Sequence, residues 1–207
     1  MASNMNDLLK HIFDDISRTD YIKPEDLPNI DLYMDQVTTF MESQLSSTKR
    51  YPEDKILTKT MINNYAKNKL LPPPEKKRYT REHLLMLIFI YYFKNILSIG
   101  DIQTLLQPIT EKYFNSQGEQ DLTYIYNEVF RMEKSQLEQL RKDLQQRYET
   151  ASETFADAAP EDREFLQKFS FICLLSFDVY MKKAYIERLI DDLRSQSSAA
   201  DSKKDKK

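Results

Sequence analysis

The chain has 207 residues, of which 41% are hydrophobic, 30% are charged and only 2 are glycine. Loops that bind dinucleotides or phosphates need several closely spaced glycines, and Gly100 and Gly118 lie far apart, which argues against Rossmann and P-loop chemistry. The length suits one domain or two small ones with a real core, and the formal net charge of −3 predicts neither a nucleic-acid partner nor a membrane partner by itself.

The sequence lacks the residues that several classes of protein need for their function. Cys173 is the single cysteine, and its apolar neighbours predict a small core residue. Two histidines and one cysteine offer no metal-ligand spacing, so we expect neither a metal nor a cofactor. No nucleophile, base and acid can be grouped, which predicts a protein that is not an enzyme. Residues 1–10 are polar with scattered leucines and predict no secretory signal, so we expect a cytoplasmic protein. The longest apolar run, 84–93, is too short to cross a bilayer and predicts a buried helix.

The N-terminal quarter of the chain is acidic. Residues 1–48 carry nine acidic and three basic side chains, and residues 1–30 are interpreted as an acidic N-terminal segment. Apolar residues with helical spacing predict a helix over residues 32–46. The next segment has the opposite sign, because residues 49–83 carry ten basic and four acidic side chains.

A short basic helix is predicted directly after Thr58. Its run, residues 59–67, places apolar side chains on an inner face and leaves a polar, basic outer face. Thr58 is a suitable N-cap, because its hydroxyl can accept a backbone N–H that the first turn leaves unpaired. The three prolines at 72–74 cannot continue a helix, so the chain must turn or run extended there.

A basic loop and two further helices follow the prolines. The loop, residues 75–79, contains three basic residues and one tyrosine. Thr80 is placed to cap a helix over 81–97, whose apolar centre predicts a buried helix. Ser98 and Asp101 have capping-box spacing and begin a short amphipathic helix.

Two apolar stripes with helical spacing predict a helical hairpin over residues 119–195. Its turn lies in residues 150–162, where Pro160 followed by acidic residues suits a helix start. The hairpin could dimerise the chain, bind a partner protein or sense a small-molecule effector. Residues 196–207 are small, polar or charged, which predicts a disordered tail.

Three segments in this order resemble the MerR-type winged helix-turn-helix: residues 58–73 (TKTMINNYAKNKLLPP), 78–84 (RYTREHL) and 97–106 (LSIGDIQTLL). They are closest to an uncharacterised MerR-like group of unknown function. The resemblance implies an all-α fold with a winged helix-turn-helix and a minimal β wing at residues 31–112. The predicted C-terminal helical hairpin would follow as a dimerisation or sensing region.

The resemblance also implies sequence-specific binding of double-stranded DNA by a homodimeric transcriptional regulator. The helix after Thr58 would enter the major groove, and residues 72–79 would form the wing on the DNA backbone. The basic residues could contact phosphates, while Asn63 and Asn64 could read adenine edges. The predicted DNA-binding residues are Thr58, Lys59, Thr60, Asn63, Asn64, Lys67, Lys76, Lys77, Arg78 and Tyr79.

Three departures from the family pattern keep an alternative open. Members usually have an arginine and a tyrosine where this chain has Asn63 and Asn64, and a glycine where it has Lys69. The connection at 46–54 is also longer than a tight turn needs. The alternative is a protein–protein interaction module that keeps the winged-helix scaffold without binding DNA.

Overall fold

The structure is a computed structural model, and it describes residues 22–116, 118–131 and 133–204, with no description of the side chains of residues 133–135 and 198–204. Most of the predicted acidic segment, residues 1–21, lies outside the described residues. The described chain is mostly helical, which confirms the all-α class. Its helices are α1 (Met34–Leu45), α2 (Lys59–Lys67), α3 (Arg81–Phe93), α4 (Ile99–Tyr113), α5 (Leu122–Arg131), α6 (Glu133–Ser152) and α7 (Pro160–Lys204).

The described chain also contains two short 3-10 helices, Pro24–Asp26 and Ser46–Thr48, and two short strands. Strand β1 (Leu32–Tyr33) runs antiparallel to β2 (Arg78–Tyr79), with Leu32 opposite Tyr79 and Tyr33 opposite Arg78. The pleat sends alternate side chains to opposite faces, so Leu32 and Tyr79 are buried while Tyr33 and Arg78 are exposed. This pairing ties the start of α1 to the segment that precedes α3.

The chain divides into two compact units, one formed by Met1–Arg131 with Leu193–Lys207 and one formed by Met132–Asp192. Helix α5 lies in the first unit, whereas the sequence places residues 119–131 in the C-terminal region. The reason is the buried Tyr126, whose hydroxyl donates a hydrogen bond of 2.7 Å to the carbonyl of Ile22.

Helix α3 forms the core of the first unit. It buries nine consecutive residues, from His83 to Tyr91, as its apolar sequence predicts. Aromatic side chains join it to α5, because the ring of Phe89 lies 5.5 Å from that of Tyr126 and 5.8 Å from that of Phe130. Each fully buried large apolar side chain contributes about 1.5–3 kcal/mol, so this helix stabilises the unit more than any surface feature can.

The long connection between α1 and α2 packs against the C-terminal end of α3. Ile56 and Leu57 are buried, and the Lys94 ammonium donates to the carbonyl of Ile56 at 2.6 Å. The hydroxyls of Thr48 and Tyr91 form a further hydrogen bond. The extra residues therefore form part of the core rather than a free loop.

Helix α2 begins and ends as the sequence predicts. The Thr58 hydroxyl accepts the backbone N–H of Met61 at 3.2 Å. At the other end Lys69 adopts the left-handed conformation, with φ of 58°, in the position where the resembled family has glycine. The N–H of Leu70 donates to Tyr65 and that of Lys69 to Ala66, at 2.9 and 3.1 Å. Together these bonds form a Schellman motif.

A glycine at position 69 should stabilise the protein. A left-handed conformation costs a residue with a Cβ about 1–2 kcal/mol, and glycine avoids this cost. Part of the resulting gain in stability is lost, because glycine has greater freedom in the unfolded chain. We expect Lys69→Gly to raise the free energy of unfolding by about 0.5–1 kcal/mol, measured by urea denaturation. Lys67→Gly, at the last residue of α2, where φ is not left-handed, is the matched control and should lower the free energy of unfolding. A loss of stability in Lys69→Gly would contradict this interpretation.

His83 caps α3 from inside the core. Its Nδ1 accepts the backbone N–H of Thr80 at 3.0 Å, which assigns the proton of the neutral ring to Nε2. The ring lies edge-on to Tyr79 and to Phe114, at 5.5 and 4.9 Å between centroids. Burial lowers the pKa of His83, although the carbonyls of Pro73 and Pro72 act in the opposite direction.

The neutral His83 should make stability depend on pH. The unfolded chain takes up a proton near the ordinary pKa of about 6.5, whereas the folded protein resists protonation until a lower pH. The free energy of unfolding should therefore fall as pH drops from about 7 to 5. His83→Gln keeps the cap without titrating, since glutamine serves the same capping position. Urea unfolding at several pH values should show a weaker pH dependence for His83→Gln than for the wild type, and an equal pH dependence in the two proteins would refute this role of His83.

The second unit contains the predicted helical hairpin. Helices α6 and α7 are joined through residues 153–159, and the side-chain amide of Gln167 donates to the carbonyls of Ser152 and Thr154 at 2.6 and 3.1 Å. Helix α7 begins at Pro160, as predicted, and continues to Lys204 through most of the segment for which the sequence predicts disorder.

The sequence prediction for Cys173 is wrong. The cysteine was expected in the core because its neighbours are apolar, but the structure leaves it exposed. The uncharged residues around Cys173 are distributed over every side of α7. Helix α6 packs against only one of these sides. Phe171 is the residue of this run that is buried, with its ring edge-on to Tyr148 at 5.7 Å.

Candidate nucleic-acid interface

The outer face of α2 carries hydrogen-bond donors and no carboxylate. Ile62 and Tyr65 anchor the helix in the core and are buried. The exposed residues are Lys59, Thr60, Asn63, Asn64 and Lys67. Of the predicted contact residues in this segment, Thr58 is half-buried because its hydroxyl caps the helix.

The exposed side chains of α2 form two neighbouring rows. Residues four apart lie on the same face of a helix, so Lys59, Asn63 and Lys67 form one row and Thr60 and Asn64 the next. Successive residues point about 100° apart, which means that the two asparagines face different directions. An amide flanked by two ammonium groups can meet a base edge while the lysines reach phosphates on either side.

The basic turn, which we define as Glu75–Arg78, lies between α2 and α3. The N–H of Arg78 donates to the carbonyl of Glu75 at 2.8 Å, and these residues pair as an isolated antiparallel bridge. Lys76 and Lys77, the two central residues, have φ of 49° and 66°. Positive φ at both central positions is typical of a type I′ turn, where Asn-Gly is the preferred sequence. The turn therefore holds two exposed lysines in an unfavourable conformation.

Tyr33 is a surface residue beside the basic turn that the sequence analysis missed. It is 51% exposed, and the Arg78 guanidinium lies 5.6 Å from the centre of its ring. A cation over an aromatic face is attracted to the ring, and this contact holds the arginine beside the turn. A strand of two residues leaves too short a pattern for sequence analysis to detect this pairing.

Tyr79 was predicted to contact DNA, but the structure leaves only 3% of it exposed. The alternation along β2 sends Arg78 outward and turns Tyr79 into the core, against His83. Burial also raises the pKa of its phenol. Tyr79 therefore supports the turn from beneath rather than lying on the surface.

Lys59 is the basic residue of α2 with an acidic neighbour. Its ammonium forms an ion pair with Asp35 in the first turn of α1, and both side chains are largely exposed. Exposed ion pairs are weak because water screens them. Among the residues that the structure describes, none forms an ion pair with Lys67, Lys76 or Lys77, so the positive charge of the surface comes mainly from these three and Arg78.

Other kinds of site find little support in the described residues. The ranges 22–116, 118–131 and 133–204 contain no group of three histidine, cysteine or acidic side chains arranged to hold a metal ion. A groove of about 520 Å³ lies beside the end of α2, between Pro72 and the helix α4 residue Gln107. Within the described part of the chain, no helix combines the length and the apolar character that crossing a bilayer requires.

Replacing the two lysines of the basic turn with the preferred turn residues should stabilise the fold. In the double variant Lys76→Asn/Lys77→Gly, both substituted residues tolerate positive φ, so we expect the free energy of unfolding to rise by about 1 kcal/mol. Thermal unfolding followed by circular dichroism measures this change. Lys76→Ala/Lys77→Ala removes the same charges without favouring the turn and is the control. Equal stability of the two variants would show that the turn conformation carries no strain.

Comparison with known proteins identifies the family of this chain. No curated protein and no solved structure matches the chain. Residues 22–129 match the family described as a domain of unknown function, DUF1836. This match covers half of the chain and includes α1 to α4, both strands and most of α5. The chain therefore belongs to the DUF1836 family.

Proposed function

We propose that this protein is a cytoplasmic, homodimeric transcriptional regulator that binds double-stranded DNA through a winged helix-turn-helix. Helix α1 is the first helix of the motif, α2 is the recognition helix, and the basic turn is the wing. The observation that carries the proposal is the basic turn, where two exposed lysines occupy positions that favour Asn-Gly. Strain held at an exposed, charged tip favours a binding role for that tip.

The dimensions and chemistry of α2 support this assignment. The major groove of B-form DNA is about 12 Å wide and admits one α-helix. Asn63 and Asn64, on neighbouring rows of the helix, could each pair with an adenine edge, and Thr60 lies in the row of Asn64. Lys59 and Lys67, near the two ends of the helix, could reach the phosphates that border the groove.

The wing would anchor the helix without reading sequence. Lys76, Lys77 and Arg78 would neutralise phosphates next to the groove, and the ring of Tyr33 would hold the Arg78 guanidinium in place. Each phosphate that is neutralised releases counterions, so binding should weaken steeply as salt rises. In this division of roles the amides of α2 give specificity and the basic turn gives affinity.

Selection from a random pool of double-stranded DNA, followed by fluorescence anisotropy at several salt concentrations, tests the proposal. We expect a two-fold motif and salt-sensitive affinity. The triple alanine variant of Lys76, Lys77 and Arg78 should reduce the slope of log affinity against log salt by about 2.7 per DNA-binding domain, at roughly 0.9 for each phosphate.

Matched variants distinguish the effect of removing charge from the basic turn from the effect of removing the same charge elsewhere in the chain. The triple alanine variant of Lys142, Lys168 and Lys182 removes the same number of charges from the second unit and should leave the slope unchanged. Asn63→Ala should cost about 1–3 kcal/mol of discrimination at one base pair and leave the slope intact. Asp35→Asn frees Lys59 and should strengthen binding at low salt. No binding at low salt would refute the proposal.

A second candidate function is a protein–protein interaction module on the same scaffold. The ion pair between Lys59 and Asp35 favours it, since it reduces the positive charge at the start of α2. The net charge of −3 for the whole chain favours it as well. In that case the DNA selection yields no motif, and the outer face of α2 would meet an acidic protein surface.

A further inference from the structure

The groove of about 520 Å³ beside the end of α2 lies entirely within the first unit. Its floor is apolar, because Leu71 is 1% exposed and Pro72 is half-buried beside it. Polar side chains of α4 line the other side, and Gln103, Gln107 and Glu111 share one face of that helix because they are four residues apart. Clefts of about 300–1,000 Å³ that combine apolar surface with a few polar groups are typical of small-ligand sites.

Two charged side chains line the groove, and they have opposite signs. Lys69 lies just beyond the end of α2, and Glu111 lies on α4. Within the described part of the chain, neither of them forms an ion pair. The nearest cations along the chain are directed elsewhere, since Lys67 lies on the outer face of α2 and the Lys112 ammonium lies 4.9 Å from the centre of the Tyr113 ring. The groove therefore offers one positive and one negative group to a ligand.

The left-handed conformation of Lys69 favours a role for its side chain. Its φ is 58°, in a Schellman motif, a position that glycine occupies at lower cost. Residues other than glycine that are held in this conformation cluster at ligand sites. The turn itself has no need of a lysine, so the ammonium beside the groove is what a glycine at this position would lose.

Glutamine side chains of α4 supply hydrogen bonds that suit a peptide group. The Gln107 amide donates to the Glu111 carboxylate at 2.7 Å, which holds the carboxylate along the side of the groove. Gln103 is half-buried and forms no hydrogen bond with the residues that the structure describes. Its amide has both a donor and an acceptor, as a backbone peptide group has, so the two groups can pair.

The size of the groove and its two charges together select a short peptide. A volume of 520 Å³ corresponds to a cube with an edge of about 8 Å, and an extended chain covers about 3.3–3.6 Å per residue, so two or three residues span it. A free peptide of this length has a carboxylate at one end, an ammonium at the other and a peptide group between them. A simple anion would be repelled by Glu111 and a simple cation by Lys69.

We propose that this groove binds a free peptide of two or three residues that carries an apolar side chain. The carboxylate of the peptide binds Lys69, and its terminal ammonium binds Glu111. Its peptide group pairs with Gln103, and its apolar side chain lies on Leu71. The proposal goes beyond the proposed function and does not depend on DNA binding, because every test below is made without DNA.

Isothermal titration calorimetry of the full chain with alanyl-leucine tests the ligand. N-acetyl-alanyl-leucine lacks the ammonium, and alanyl-leucine amide lacks the carboxylate. We expect the wild type to bind alanyl-leucine roughly tenfold or more tightly than either blocked peptide, because each blocked peptide loses a hydrogen bond between charged groups. No binding of alanyl-leucine at millimolar concentration, or equal affinity for all three peptides, would overturn the proposal.

Matched variants test the location of the site. Lys69→Gly should weaken the binding of alanyl-leucine by roughly tenfold or more and leave that of alanyl-leucine amide unchanged. Glu111→Gln should also weaken the binding of alanyl-leucine and leave that of N-acetyl-alanyl-leucine unchanged. Lys77→Gly is the control and should bind as the wild type does, because it removes another lysine with positive φ, one that does not line the groove.

Unfolding cannot account for the expected loss of binding in Lys69→Gly, because glycine favours the conformation at that position. Urea denaturation verifies that all three variants are folded. Binding of alanyl-leucine with wild-type affinity by Lys69→Gly or by Glu111→Gln would rule out this site.

Discussion

The first unit depends on the burial of α3 on all sides. A helix with nine consecutive buried residues has no solvent face, so other elements must surround it. Helix α5 contributes aromatic rings, and the connection after α1 contributes Ile56 and Leu57. Polar contacts fix both ends, with His83 accepting the N–H of Thr80 at the start and Lys94 donating to Ile56 just beyond the end. With the core supplied in this way, α2 needs few buried residues, and its outer face is free to be polar.

Local features of the fold could be predicted, whereas distant contacts could not. The cap at Thr58, the end of α2 and the burial of α3 follow from residues within one or two helical turns, which periodicity and capping chemistry reveal. The pairing of β1 with β2 joins strands of two residues that lie far apart in sequence, and so short a pattern carries no signal. This pairing decides that Tyr79 points inward and Tyr33 outward. The sequence could therefore indicate exposed lysines and asparagines on α2 and the basic turn, but not that Tyr79 is buried and that Tyr33 is exposed beside them.

Composition misled the prediction for Cys173 for a related reason. An uncharged run predicts burial, but it does not say how many partners a helix has within its own chain. In the second unit α6 covers one side of α7, and the remaining apolar side chains stay exposed. The same pattern is compatible with a buried helix inside one chain and with a helix that is completed by another chain. Only the arrangement of the neighbouring helix distinguishes these cases.

The exposed surfaces of the two units differ in the force that each can use for binding. The outer face of α2 and the basic turn offer charge and hydrogen-bond donors, and attraction of that kind is weakened by salt. The exposed apolar side chains of α7 offer area around an uncharged run, residues 169–177, and salt does not screen the burial of such area. Under the proposed function, salt should therefore weaken the binding of DNA to α2 and the basic turn, whereas it would screen little of any apolar contact made by α7. The proposed binding of DNA and any contact that the apolar side chains of α7 make would thus draw their free energy from different interactions.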